Sequence, residues 1–335
     1  MKKKLLHLAQ FGIGLGLIAY LFGTMKDKER LWEALHSAAA AWPWLLAGNL
    51  VFGVCILMCA WRWQILLRSQ DLRLPFRRAL TLFFIGQFFN SFLLGATGGD
   101  VVKAYYAARE THHRKAEAVS TVVLDRIIGL VALVSLVTIV LVSRLSLTLA
   151  HPETRTALLF FGAVFAVSLV VAVTASWCDV FERIGILRRF SERTRIGAVA
   201  HRMYATFRIG FRNPAVLWST MAVSVLNHLL NVVSVQLLGR ALNVRLPFVD
   251  FLTAFPVINA VAAVPLTPGG LGTREATAKA VLNHVFGVPE ANAVLLSLLL
   301  YASVLLWSLV GGVVYMASGL KGKPAADLIR EAESA

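Results

Sequence analysis

The chain has 335 residues, 58% of them hydrophobic, and a formal net charge of +15. A mean hydropathy of +0.70 excludes an ordinary soluble domain of this length. The basic excess does not mark a nucleic-acid partner, because Lys and Arg sit in short segments beside apolar runs and no recognition motif accompanies them.

Met1-Lys2-Lys3-Lys4 opens the chain ahead of an apolar run at 5–23. The outline is that of a signal peptide. However, the small-residue run Ser37-Ala38-Ala39-Ala40 lies beyond the charged stretch from Lys26 to Arg30, so an uncleaved first helix is expected. Continuous apolar spans follow near 43–67, 117–142, 156–177, 214–239 and 290–318. Each is close to the ~20 residues that a bilayer crossing takes. Two more apolar stretches, 79–110 and 248–287, are broken by glycine. The predicted fold is all-α: a polytopic membrane protein with about six full spans and two broken or re-entrant hairpins. Residues 1–320 read as one membrane domain and 321–335 as a short cytoplasmic tail.

Charge then sets an orientation. With the N-terminus in the cytoplasm, the basic segment from Arg62 to Arg78, the segment from Lys103 to Lys115, the loop from Arg183 to Arg212 and the tail all fall inside. These segments hold most of the 33 Lys and Arg, as the positive-inside rule requires. The stretch 79–110 must then dip in and return to the cytoplasm, while 248–287 does so from the other side. This has the form of an inverted-topology repeat, an arrangement typical of transporters with a midplane site. Sequence similarity between the halves is slight on this reading. The expected location is a bacterial-type inner membrane, with both termini cytoplasmic.

The glycine breaks carry the candidate site. The first reads Gly98-Gly99-Asp100 with Lys103 following. The second reads Thr267-Pro268-Gly269-Gly270-Leu271-Gly272-Thr273-Arg274-Glu275. Irregular backbone and charge at membrane depth are tolerated where they face protein or a wet cavity. A helix starting there presents unpaired N–H groups and partial positive charge, which favour an anion. Lys103 and Arg274 are expected to hold a lipid phosphate between them, one from each hairpin. Asp100 and Glu275 either cap the helix starts or pair with those cations. The alternative is that the glycines allow tight helix crossing and the charges form structural pairs.

Asp125 and Arg126 lie near the start of the span 117–142, where each charge costs up to about 2.5–3.5 kcal/mol at a helix centre and less near the interface. Adjacent residues point about 100° apart, so they need not pair with each other. Arg126 either forks onto a phosphate or carboxylate or snorkels to the interface. Asn227, His228 and Asn231 form a polar cluster in another span. They either hydrogen-bond between helices or, through His228, carry a proton. Gln87 and Asn90 precede the first break and are expected to face the same cavity. Cys55 and Cys59 share a helix face as small packing residues, and no set of Cys and His has zinc spacing. No phosphate-binding loop or nucleophile elbow is present, so neither catalytic residues nor a metal nor a cofactor is expected.

At these residues the chain resembles the lysylphosphatidylglycerol synthase transmembrane-domain family of flippase-like proteins. The carriers are Gly86-Gln87-Phe88-Phe89-Asn90 through Gly98-Gly99-Asp100 to Lys103, the step Leu124-Asp125-Arg126, and Pro265 through Gly272 with Arg274-Glu275. The resemblance spans roughly 5–320. It implies an integral membrane protein that moves or binds lipids without hydrolysing ATP itself. The namesake synthases add a soluble aminoacyl-transferase domain, for which this chain has no room, so the resemblance carries no enzyme activity over. The expected function is translocation of a lipid or lipid-linked headgroup, an anionic phospholipid or a polyprenyl-phosphate-linked one. A lipid-modifying enzyme encoded separately is a further expected partner. The rival readings are a membrane glycosyltransferase using a polyprenyl-phosphate sugar and a non-catalytic partner of a lipid synthase.

Overall fold

The computed structural model describes residues 28–92, 98–111, 115–177, 213–264, 267 and 270–318. The expected first span at 5–23, the Arg183–Arg212 loop, Gly269 and the tail 321–335 lie outside the described residues. The described chain is helical: α1 Lys28–Ala40, α2 Trp42–Ser69, α3 Phe76–Phe92, α4 Gly98–Glu110, α5 Lys115–Ser143, α6 Leu145–Ala150, α7 Pro152–Trp177, α8 Pro214–Ala241, α9 Phe248–Ala262, α10 Thr273–Ala278 and α11 Glu290–Ala317. A wider π turn, Lys279–Asn283, prolongs α10.

Among the described residues, 5 helices are long and apolar enough to cross a membrane: α2, α5, α7, α8 and α11. Each matches an expected span to within a few residues. Local chemistry sets several of the ends. Pro43 lies in the first turn of α2, and Pro214 in that of α8. Asn213 caps α8 by accepting the Val216 N–H at 3.3 Å. The chain is a polytopic all-α membrane protein.

The two broken stretches form hairpins. With 17 residues α3 is ~25 Å long, and α9 with 15 residues is ~22 Å, both short of the ~30 Å hydrocarbon core. Arg78 near the start of α3 is ion-paired with Glu110 at the end of α4, so the first hairpin opens and closes on one side. Arg144, just past α5, closes the second hairpin in the same way. Its guanidinium donates to Asp250 at 2.6 Å and to Thr253 at 3.0 Å, and lies 5.9 Å from the Phe286 ring. Glu110 shortly precedes the beginning of α5, and Arg144 follows its end. The hairpins therefore enter from opposite faces.

The inverted repeat is closer than hydropathy suggested. The segments Asp71-Leu72-Arg73-Leu74-Pro75-Phe76 and Asn243-Val244-Arg245-Leu246-Pro247-Phe248 share Arg-Leu-Pro-Phe. Each follows a helix of 28 residues and leads into the short arm of a hairpin. Asp71 at φ 54° and Asn243 at φ 56° take the left-handed conformation that short polar side chains tolerate. Around them the same cap closes both helices. Leu72 N–H donates to Leu67 O and Asp71 N–H to Arg68 O, and Val244 N–H donates to Gly239 O and Asn243 N–H to Arg240 O.

The equivalent helices α2 and α8 pack antiparallel along their length. Ser234 donates to Gly48 O at 2.8 Å near one end, and Arg62 donates to Ser224 at 2.9 Å near the other. Gly48 and Gly53 make room for Leu238 and Trp307, and Trp307 Nε1 donates to Asn49 O at 3.0 Å. An apolar core of α2, α5, α8, α9 and α11 side chains, including the stacked Phe251 and Phe255, fills the centre. A second cluster centred on fully buried Trp63 surrounds the first hairpin.

Candidate functional site

Between α2, α3, α4, α5 and α8 lies a cavity of about 190 Å³. Its wall carries Cys55, Cys59 and Arg62 from α2, Gln87 and Asn90 from α3, and Asp100 and Lys103 from α4. Asp125 and Arg126 enter from α5, and Asn227 and Asn231 from α8. Of the residues singled out from the sequence, Gln87, Asn90, Asp100, Lys103, Asp125, Arg126 and Asn227 line this cavity.

The first glycine break builds one wall. A Cβ on Gly99 would collide with the Gly86 carbonyl, so α3 and α4 touch backbone to backbone there. Asn90 Oδ1 accepts the Gly99 N–H at 2.9 Å and satisfies one donor at the start of α4. Because α4 starts at Gly98, Lys103 lies beyond its first turn.

The cavity charges pair between helices. Asp125 does not pair with its neighbour Arg126. It accepts Arg62 Nε at 2.8 Å and stands 3.5 Å from Lys103 Nζ. Arg62 and Lys103 are both buried, and the ammonium also sits over the rings of Trp63 at 4.5 Å and Phe83 at 4.8 Å. Asp100 does not pair with Lys103. It takes a forked bond from Arg126, at 2.6 and 3.1 Å. The Arg126 side chain is 56% exposed, against 15% for Asp100. The cavity charges thus comprise a buried set (Arg62, Asp125, Lys103) and a pair at the mouth (Arg126, Asp100). Asn227 Oδ1 is buried without a hydrogen-bond partner.

Arg62 was the main residue that sequence reasoning placed wrongly. It reads as part of the basic segment after α2, yet the helix continues past it to Ser69. The usable signal was the apolar Ile65-Leu66-Leu67 that follows, with Leu66 and Leu67 fully buried. Cys55 and Cys59, expected only to pack, both line the cavity, and the Cys55 thiol donates weakly to Asn227 O at 3.8 Å.

Among the described residues, none of the second hairpin lines this cavity, and Lys103 and Arg274 are not brought together there. Thr267, Gly270, Arg274 and Glu275 are absent from its lining. Thr267 donates to Leu271 O at 2.7 Å within the turn. Gly270 takes φ 73°, and a Cβ there would press on Ala262. Glu275 is fully buried and caps the helix start, accepting the Gly272 N–H at 2.6 Å and the Ser297 hydroxyl at 2.9 Å. Arg274 Nε and Nη1 are buried with no hydrogen-bond partner. His228 is likewise outside the cavity lining: its Nε2 meets the Gly129 carbonyl at 3.1 Å, an interhelical bond. From the second hairpin, Asn259 on α9 donates at 2.9 Å to Asn231, which lines the cavity.

Fold and site together define a polytopic membrane protein built as two inverted halves around a charged cavity. The chain belongs to the family described as lysylphosphatidylglycerol synthase TM region, whose profile matches residues 8–314. It is 25% identical over 230 residues to a UPF0104 membrane protein of Methanothermobacter thermautotrophicus, covering 63% of this chain and 66% of that protein. It is 23% identical over 303 residues to a UPF0104 membrane protein of Pyrococcus horikoshii, covering 81% of this chain and 86% of that one. No solved structure matches the chain.

Proposed function

We propose that this protein moves an anionic lipid headgroup across the inner membrane through the α2–α3–α4–α5–α8 cavity while the acyl chains stay in lipid. One observation carries the reading. The cavity's charged side chains are three cations, Arg62, Lys103 and Arg126, and two carboxylates, Asp100 and Asp125. A surplus positive charge in a low-dielectric site calls for an anion. A phosphodiester supplies one negative charge, and the unpaired Asn227 oxygen suits a hydroxyl or ammonium on the same headgroup. About 190 Å³ is room enough for a phosphate group. The process is movement rather than covalent chemistry. Its cargo is an anionic phospholipid or a polyprenyl-phosphate-linked lipid made by a separate enzyme.

The test is reconstitution in phosphatidylglycerol vesicles with a fluorescent phosphatidylglycerol and an impermeant quencher outside. The parent protein should bring the inner-leaflet label within reach of the quencher. Arg126→Gln, which breaks the pair at the cavity mouth, should slow this at least ten-fold. Vesicles that move label no faster than protein-free ones overturn the proposal.

The orientation is part of the same reading: the basic face holding Arg68, Arg73, Arg77 and Arg78 is cytoplasmic. A cysteine placed at exposed Arg73 should be labelled only from the cytoplasm, and one at exposed Leu149 only from outside, both in a background without the native cysteines. The opposite pattern would reverse the assignment.

A further inference from the structure

The repeat gives Arg274 a counterpart. Each half has a Gly-Gly pair, Gly98-Gly99 and Gly269-Gly270, and four residues after the second glycine stands a cation, Lys103 or Arg274. The close approach is repeated too: an added Cβ meets Asn90 at Gly99 and Ala262 at Gly270. The two cations are treated differently by the helix that follows each hairpin. In the first half α5 supplies Asp125 to Lys103. In the second half the only carboxylate on α11 is Glu290, at its first residue, and that pairs with Lys279 at 2.6 Å. What α11 turns toward Arg274 is the Tyr301 ring, 5.9 Å from the guanidinium carbon.

The adjacent carboxylate does not fill the gap. Glu275 is occupied by the Gly272 N–H and by Ser297, and neither Nε nor Nη1 of Arg274 reaches an acceptor. Two buried donors on a cation, left open, are costly to a fold unless something outside the chain accepts from them. Open N–H donors on a planar guanidinium suit an oxoanion, which offers several acceptor oxygens.

We propose that Arg274 holds a second oxoanion site, separate from the cavity and carried by the hairpin that enters from the opposite face. Its ligand is a phosphate-type oxoanion, either the phosphodiester of a lipid or free inorganic phosphate. If the translocation reading holds, the protein has two stations for one headgroup, one on each hairpin. The site itself rests on Arg274, Glu275 and Tyr301 and stands whether or not lipid moves.

The test is binding, not transport. The full-length protein in phosphatidylcholine nanodiscs is melted alone, with inorganic phosphate, and with phosphatidylglycerol added to the disc. Parent, Arg274→Met and Arg274→Lys are compared in an Arg126→Gln background, which weakens the cavity's hold on anions. Without anion, Arg274→Met should melt at or above its background, since it removes an unsatisfied buried cation. With anion, the background should gain melting temperature and Arg274→Met should not. Arg274→Lys, which keeps the charge and loses the fork, should bind at least ten-fold more weakly. Stabilisation by phosphatidylglycerol alone assigns the site to a lipid headgroup, and stabilisation by phosphate alone assigns it to the free anion. Equal gains in the background and Arg274→Met overturn the site, as does no gain from either anion. Should Arg274→Met fail to fold, Arg274→Lys keeps the comparison, and anion affinity equal to the background's overturns the site.

Discussion

Replacing Asp125 by alanine is expected to be the most destabilising single change in the charged cavity. Its carboxylate is the counterion of two buried cations, Arg62 at 2.8 Å and Lys103 at 3.5 Å, and all three side chains are at most 7% exposed. Removing one member of a buried pair costs about 3–5 kcal/mol, because the other charge is left without compensation. Here two charges are stranded. Lys103 retains the Trp63 and Phe83 rings and Arg62 retains Ser224, neither of which replaces a carboxylate. A loss of this size should lower the melting temperature of the purified protein by roughly 4–7 °C. Arg126→Gln, which breaks the half-exposed pair, should lower it far less. Adding Lys103→Met to Asp125→Ala should recover part of the loss, because it removes one stranded charge. An Asp125→Ala protein that melts within a degree of the parent would show that water compensates these charges.

What could be read from sequence, and what could not, follows from the range of each interaction. The spans were legible because hydropathy is a sum over about 20 neighbouring residues, and the helices at 42–69, 214–241 and 290–317 fall where that sum predicts. The hairpins were legible from glycine and the charge of their flanks, both local features. The partners of charges were not. Asp125 could have paired with Arg126 next to it. Which of Arg62, Lys103 and Arg126 it meets depends on how two other helices, α2 and α4, pack around α5. Arg62 was misplaced because a basic residue near a helix end looks the same whether it snorkels or turns inward. Arg274 and Lys103 were joined in expectation because their local settings are alike, whereas tertiary packing puts them in separate places. The repeat was present in the sequence as Arg-Leu-Pro-Phe, written twice. It lies at the caps, where Asp71 and Asn243 fix the turn into each hairpin, and not at the glycines.

Gly99→Ala is expected to abolish lipid movement more fully than loss of Arg126. The reason is space and not backbone strain: the positive-φ glycines among the described residues are Gly270, Gly272 and Gly287, and Gly99 is not one of them. Its Cα faces α3, and an added methyl would overlap the Gly86 carbonyl and come within 2.7 Å of Asn90 Cγ. The Gly86 obstacle is backbone in the middle of α3, which cannot swing aside as a side-chain tip can. On its far side α3 is held by α11, where a Cβ on Gly311 would overlap the Phe84 carbonyl. With α3 held, α4 must move. That breaks the Asn90–Gly99 hydrogen bond and shifts Asp100 away from Arg126 and Lys103 away from Asp125. One methyl group thus disturbs both charge sets of the cavity. Gly99→Val should be worse, and Gly162→Ala is the control, since a Cβ there has nothing within 4 Å. The measurement is label movement per folded molecule in vesicles, with topology checked by cysteine labelling at Arg73. Gly99→Ala at the parent rate would mean that contact between the two arms of the first hairpin is not needed for transport.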